Sequence, residues 1–315
     1  MNKKIFQKII NKIYYIFYKK HVDKFFKHLA YRSVHNNPSL LRLSSNPYIS
    51  GDSYRKLANH LFDETTLLDP KDVKENDIIF LKTDLKEKYF SEYHNQIKSK
   101  YILITHNSDE CISKLDMKYI DDKIIHWFAM KLNLPMNTRI SPLPAGFENK
   151  RYFNNGIIKN FEKVYSNNLK NNNFEKKNQI LCSFNINTNL KERGPLIEAV
   201  SKRKDVDISN FSNNFDYLNA LSSYKFNLCP EGNQYESHRF WETLFFNNIP
   251  IVERNNVNEN FVELGIPLIM LNKWKDISNL TIDKMVDQYF YNKSEDPRKF
   301  VKLDFWKELI YKERM

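Results

Sequence analysis

Residues 224–253, YKFNLCPEGNQYESHRFWETLFFNNIPIVE, leave few local structures open to the chain. Phe226 and Leu228 alternate in a short apolar run that Pro230 stops, which predicts a strand over residues 224–229. Residues 230–236 form a loop with one glycine, Gly232. Ser237 suits the N-cap of a helix over residues 238–247. Asn248 can take the left-handed turn that usually needs glycine, and residues 249–252 read as a buried strand. In a strand–loop–helix–strand unit of this kind, ligands sit beyond the carboxyl end of the first strand, at the helix N-terminus. That place holds Glu231, Gly232, Asn233, His238 and Arg239.

The predicted helix has two faces. Trp241, Leu244 and Phe245 fall at i, i+3 and i+4 and make a core stripe. His238, Arg239 and Glu242 fall on another side. A cation near a helix N-terminus opposes the helix dipole at a cost of about a few tenths of a kcal/mol. Arg239 is therefore explained if an anion docks there. The alternative is an internal Arg239–Glu242 pair on a solvated face.

The same strand-and-helix rhythm runs through most of the chain. Residues 77–81 (DIIFL) and 101–105 (YILIT) are short apolar runs of the parallel, doubly buried type. Residues 82–99 between them are long enough for a crossover helix, and residues 123–129 and 139–144 continue the pattern. A second series starts with a strand over residues 179–184. It continues with a loop bearing Lys191, Arg193 and Gly194, a helix over 195–204 with Pro195 in its first turn, a short segment 206–208, and a helix over 214–222. A strand over 266–271 and helices, including one over 304–312, follow. The expected fold is α/β, with two Rossmann-like halves of parallel strands and flanking helices facing across a cleft. The expected divisions are a basic helix (1–30), an N-terminal domain (31–153), an Asn- and Lys-rich linker (154–178) with one helix around 157–169, a C-terminal domain (179–290), and a last segment (291–315) packing back on the first domain.

Charge and cysteines narrow the function. The net charge is +11, but residues 1–30 hold eight lysines against Asp23 and so carry +7 of it. A general nucleic-acid-binding surface is not implied. Residues 1–27 alternate lysines with Ile and aromatic residues, as in an amphipathic helix that adsorbs to an anionic membrane surface or packs on the protein body. Their longest uncharged run is too short for a signal peptide or a membrane span. Cys111, Cys182 and Cys229 form no CxxC pair, which argues against a disulfide framework or a zinc site and for a reducing, cytoplasmic compartment. No GxGxxG or P-loop is present, which argues against NAD enzymes and P-loop NTPases.

The loops of the second half bring Lys191, Arg193, Glu231, His238, Arg239 and Glu242 to one rim. Two arginines at helix N-termini suit a diphosphate, because guanidinium bonds phosphate oxygens in pairs. A glutamate on the same face can accept from ribose hydroxyls. Together they predict a nucleotide-diphosphate ligand. Asp205-Val206-Asp207, an Asp-x-Asp by letters, reads as a solvated turn.

At these residues the chain resembles the exostosin-like GT-B glycosyltransferases. The likeness rests on the strand ending in Cys229-Pro230, the Gly232-Asn233 loop, the helix opening His238-Arg239 and continuing Trp241-Glu242, and the strand Ile249-Pro250-Ile251-Val252. Residues 181–196 resemble the Arg-bearing loop upstream of that signature, and residues 101–110 and 126–153 the end of the N-terminal domain. The pattern is departed from at Asn247-Asn248, where a glycine is usual.

The resemblance implies a hexosyl- or pentosyltransferase that moves a sugar from a nucleotide-diphosphate sugar to a hydroxyl of a glycan or lipid-linked acceptor. Arg193 and Arg239 would hold the diphosphate and Glu242 the ribose, with no metal or other cofactor required. Inversion is expected, and an inverting reaction needs a base from the facing half. Asp109 is the first candidate, with His106 in the same loop; Asp84 and Glu148 follow. Asp109 can equally be a helix cap. The alternatives are a fucosyltransferase-like or nucleotide-sugar-modifying enzyme, and a basic protein that binds membranes or polyanions. Peripheral attachment at the inner face of the membrane, through residues 1–27, is the expected location.

Overall fold

The computed structural model describes residues 42–150, 152, 155–170, 176–233, 235–291 and 296–314. The expected basic helix of residues 1–30 lies outside the described residues. Strands β1 (His60–Phe62), β2 (Asp77–Lys82), β3 (Tyr101–His106), β4 (Ile124–Met130) and β5 (Ile140–Leu143) lie side by side in chain order. Strands β6 (Lys177–Cys182), β7 (Val206–Ile208), β8 (Tyr224–Leu228), β9 (Ile249–Glu253) and β10 (Ile269–Leu271) form a second sheet in the order β10-β9-β8-β6-β7. Every neighbouring pair in both sheets is parallel. This is the expected α/β architecture of two Rossmann-like halves. The apolar runs in β2 and β3 follow from it, since central parallel strands are covered on both faces.

The two sheets differ in one respect that places the site. The first never reverses its strand order, so right-handed crossovers put its connections on a single face. On that face Ile79, Leu81, Leu103 and Trp127 pack with Tyr89 and Phe90. The other face, with Phe80, Ile104 and Phe128, enters a core shared with the second half, where Phe147, Phe161, Trp241 and Trp306 meet. The second sheet reverses between β6 and β8, which creates a topological switch point there.

Eight helices matter here: α1 (Gly51–Leu57), α2 (Ile158–Lys170), α3 (Leu190–Val200), α4 (Asn214–Ser223), α5 (His238–Phe245), α6 (Asn256–Glu263), α7 (Ile282–Tyr291) and α8 (Leu303–Lys312). Helix α2 lies in the linker stretch, where the sequence places a helix around 157–169. At α8, the Leu303 amide bonds the Pro47 carbonyl at 2.9 Å, and Arg314 just beyond it bonds the Asn76 carbonyl at 2.9 Å.

Three local expectations are corrected. Helix α3 starts at Leu190, because the Asn189 side chain caps it by accepting from the Glu192 amide; Pro195 is therefore inside the helix and Arg193 is on it. The crossover over residues 83–96 is a chain of short 3-10, α and π turns rather than one α-helix. Helix α5 ends at Phe245, and Asn247, with φ +55°, takes the left-handed turn. Asn248 is buried, and its amide donates to the Leu221 carbonyl. Ser237 stands at the N-cap of α5 but makes no capping bond.

Candidate active site

The carboxyl ends of β6 and β8 part at the switch point, and α3 and α5 begin there. Arg193, 4% exposed, is held by backbone: its Nε donates to the Glu231 carbonyl at 3.0 Å and its Nη1 to the Asn185 carbonyl at 2.5 Å. Its guanidinium carbon lies 5.3 Å from the centre of the Phe184 ring, and that of Arg239 lies 5.8 Å from the same ring. Burial and the neighbouring Arg239 pull Arg193 down to about 10, so both groups are still cations at neutral pH. Among the described residues neither guanidinium has a carboxylate within ion-pair distance. The Nε of Arg239 is buried with no hydrogen-bond partner.

The Arg239–Glu242 pair considered from sequence does not form at ion-pair distance. Glu242 instead accepts from the Tyr217 hydroxyl at 2.9 Å, and burial raises its pKa above the ordinary carboxylate value. Two cations therefore share one ring, with no carboxylate at ion-pair distance among the described residues; the more distant Glu242 still favours the Arg239 cation.

A cleft of about 2110 Å³ opens in front of these residues, lined by both halves. Gly232, Asn233, His238, Arg239, Arg193 and Glu242 line it. Lys191 is exposed and Glu231 faces away, its carboxylate accepting from the Asn255 amide at 2.8 Å; neither lines the cleft. The Gly232 carbonyl accepts from the Asn189 side chain at 2.9 Å, which ties the α3 cap to the loop after β8.

The opposite wall comes from the ends of β3, β4 and β5. Asp109 is exposed there, but buried Lys131 lies 3.2 Å from its Oδ1 and Asn233 donates to its Oδ2 at 3.1 Å. Desolvation works to raise Asp109; Lys131 and Asn233 outweigh it and hold the carboxylate below its ordinary pKa. His106 has both ring nitrogens occupied: Nε2 bonds the Pro144 carbonyl at 2.9 Å and Nδ1 accepts from the Asn107 amide at 2.7 Å. Burial pushes it down to about 4, so it is neutral and locked. Asp84 is exposed and accepts from the Ser108 hydroxyl. Glu148 also lines the cleft. Asn107 and Lys131 have left-handed backbones, with φ of +59° and +55°, at the ends of β3 and β4. Strain of this kind gathers where a site is built.

One carboxylate in the cleft wall escaped the sequence reading. Glu236 is 6% exposed; its Oε1 accepts from the Ala145 amide at 2.9 Å and from the Trp241 indole, while its Oε2 is buried with no partner. Burial raises it to about 7. No spacing rule connects Glu236 to Ala145, 91 positions earlier. The buried thiols of Cys182 and Cys229 are both raised to about 12 and stay protonated. Among the described residues no group of three His, Cys, Asp or Glu side chains has the spacing to hold a metal ion. All three cysteines are free.

No protein-family model and no curated protein sequence matches the chain. The fold is similar to a chain in the crystal structure of the GtfA/B complex, at 12% identity and a TM-score of 0.37, over 78% of this chain and 58% of that one. It is also similar to a glycosyltransferase from Rickettsia africae ESF-5, at 13% identity and a TM-score of 0.31, over 76% of this chain and 71% of that one. The chain thus spans little more than half the length of the first of these two.

Proposed function

We propose that this chain is a glycosyltransferase that moves a sugar from a nucleotide-diphosphate sugar to a hydroxyl of a glycan or lipid-linked acceptor, in the exostosin-like manner that residues 224–253 resemble. The observation that supports it is the pair of guanidiniums, Arg193 and Arg239, on one aromatic ring at a topological switch point, with no carboxylate at ion-pair distance among the described residues. In this reading both cations bind the diphosphate and stabilise the charge that builds on it as the sugar leaves. Glu242, fixed by Tyr217, accepts from ribose hydroxyls. The fixed cations supply what a metal would otherwise supply, and the sugar inverts. Among the described residues no helix is long and apolar enough to cross a membrane. The lysines of residues 1–27 would hold the protein to an anionic membrane surface, on its cytoplasmic face.

Thermal shift with a panel of UDP-, GDP- and CMP-sugars tests the reading. One donor should raise the wild-type melting temperature. Arg239→Ala and Arg193→Ala should each weaken that donor about 10- to 100-fold, the equivalent of losing charge-assisted bonds. Absence of any shift in the wild type, or unchanged affinity in both variants, refutes it.

A further inference from the structure

We infer that His238 is the general base of the transfer, taking the acceptor hydroxyl's proton on Nε2, with the Gly146 carbonyl as the group that orients its ring; this rests on the transferase reading above. The inference starts from one hydrogen bond. His238 Nδ1 lies 2.7 Å from the Gly146 carbonyl oxygen. A carbonyl can only accept, so Nδ1 carries the proton, and in the neutral ring Nε2 holds a lone pair. Among the described residues Nε2 has no hydrogen-bond partner, and the ring lines the cleft beside Arg239. The carbonyl is itself fixed. Gly146 has φ +65°, and a Cβ there would lie 2.7 Å from the Ile49 carbonyl oxygen, so only glycine presents the oxygen in this direction. A base oriented by an acceptor on its far nitrogen is the general arrangement for drawing a proton from a hydroxyl.

The other titratable groups nearby are engaged. Asp109 is held by Lys131 and Asn233. His106 spends both nitrogens on backbone groups. Glu236 has one oxygen doubly bonded and the other sealed from solvent. The charges that act on His238 come from both halves: Glu242 on its own helix, Asp109 and Lys131 across the cleft. Its ring is reachable by solvent yet walled in by both halves, and desolvation holds its pKa below the ordinary 6.5. It is therefore an unprotonated base at neutral pH.

The step balances. The acceptor O–H bond breaks and its proton goes to Nε2. The acceptor oxygen forms a bond to the anomeric carbon as the bond from that carbon to the β-phosphate oxygen breaks. That electron pair leaves on the diphosphate, against Arg193 and Arg239, and the imidazolium later returns its proton to water.

The test uses the full chain with UDP- and GDP-sugars, and donor hydrolysis with water as acceptor. His238→Gln should keep its melting temperature and bind donor within threefold of wild type, but hydrolyse it about 100-fold or more slowly. Wild-type kcat/KM should rise with pH through an apparent pKa below 6.5, and the variant should lack that limb. The opposite slope would make His238 a cation for the diphosphate and overturn the assignment. So would hydrolysis by the variant within threefold of wild type, or a loss confined to donor affinity. Nitrogen NMR of the donor complex at pH 7 reads the tautomer without turnover: an unprotonated Nε2 is expected, and a proton there overturns the proposal. A wild type that binds no nucleotide sugar removes the transferase reading, and this assignment with it; binding with any of the other adverse results removes only the assignment.

Discussion

Glu236 offers a quantitative check on the cleft's electrostatics. Its carboxyl is buried between the two halves and raised from 4.5 to about 7, chiefly by desolvation. The native state therefore holds a proton that the unfolded chain has released between these two values. Stability contributed by this site is fully present below pH about 4.5 and is lost as pH rises through about 7. A rise of this size corresponds to about 3 kcal/mol at 1.36 kcal/mol per pH unit. Glu236→Gln keeps the shape and the acceptor for the Ala145 amide and the Trp241 indole, and it cannot ionise. Relative to wild type it should gain about 2–3 kcal/mol of stability between pH 5 and pH 8. That amounts to about 5 °C in melting temperature for a chain of this length. Other groups titrate in both proteins and cancel in the difference. Parallel thermal melts at pH 5 and pH 8 measure it. An equal offset at both pH values, or a larger advantage at pH 5, would show that Glu236 is not a buried neutral acid.

Two further outcomes follow from named contacts and one from the basic N-terminal sequence. Asp63→Asn should cost about 3 kcal/mol or more in denaturant unfolding, since it leaves Arg55, whose Nε sits 2.6 Å from Asp63, as a buried unpaired charge. Gly51→Ala would place a Cβ 1.7 Å from Asn107 Oδ1 and should destabilise by about 1–3 kcal/mol in denaturant unfolding. Deleting residues 1–27 should abolish sedimentation with anionic liposomes; undiminished sedimentation would dispose of the membrane proposal.

Residues 224–253 read correctly as strand, loop, helix and strand because each part carries its own short-range signal: Pro230 as a stop, the Trp241–Leu244–Phe245 stripe, and the apolar run of β9. The parallel pairing was legible for the same reason, since β2 and β3 are apolar along most of their length and need cover on both faces. Helix boundaries were less legible. Asn189 and Pro195 both signal a start, and the side-chain cap at Asn189 prevails.

Local sequence thus determined the residue types at the switch point, because charge, helix position and strand pattern are properties of neighbouring residues. Tertiary packing alone decided which of those side chains meet. Glu231 turns to Asn255 and leaves the cleft, His106 is locked by Pro144, and Asn233 crosses to Asp109. Burial is a property of the assembled sheets, so only the fold could raise Glu236 towards neutrality, strip Arg239 Nε of partners, and aim His238 at the Gly146 carbonyl, 92 positions away.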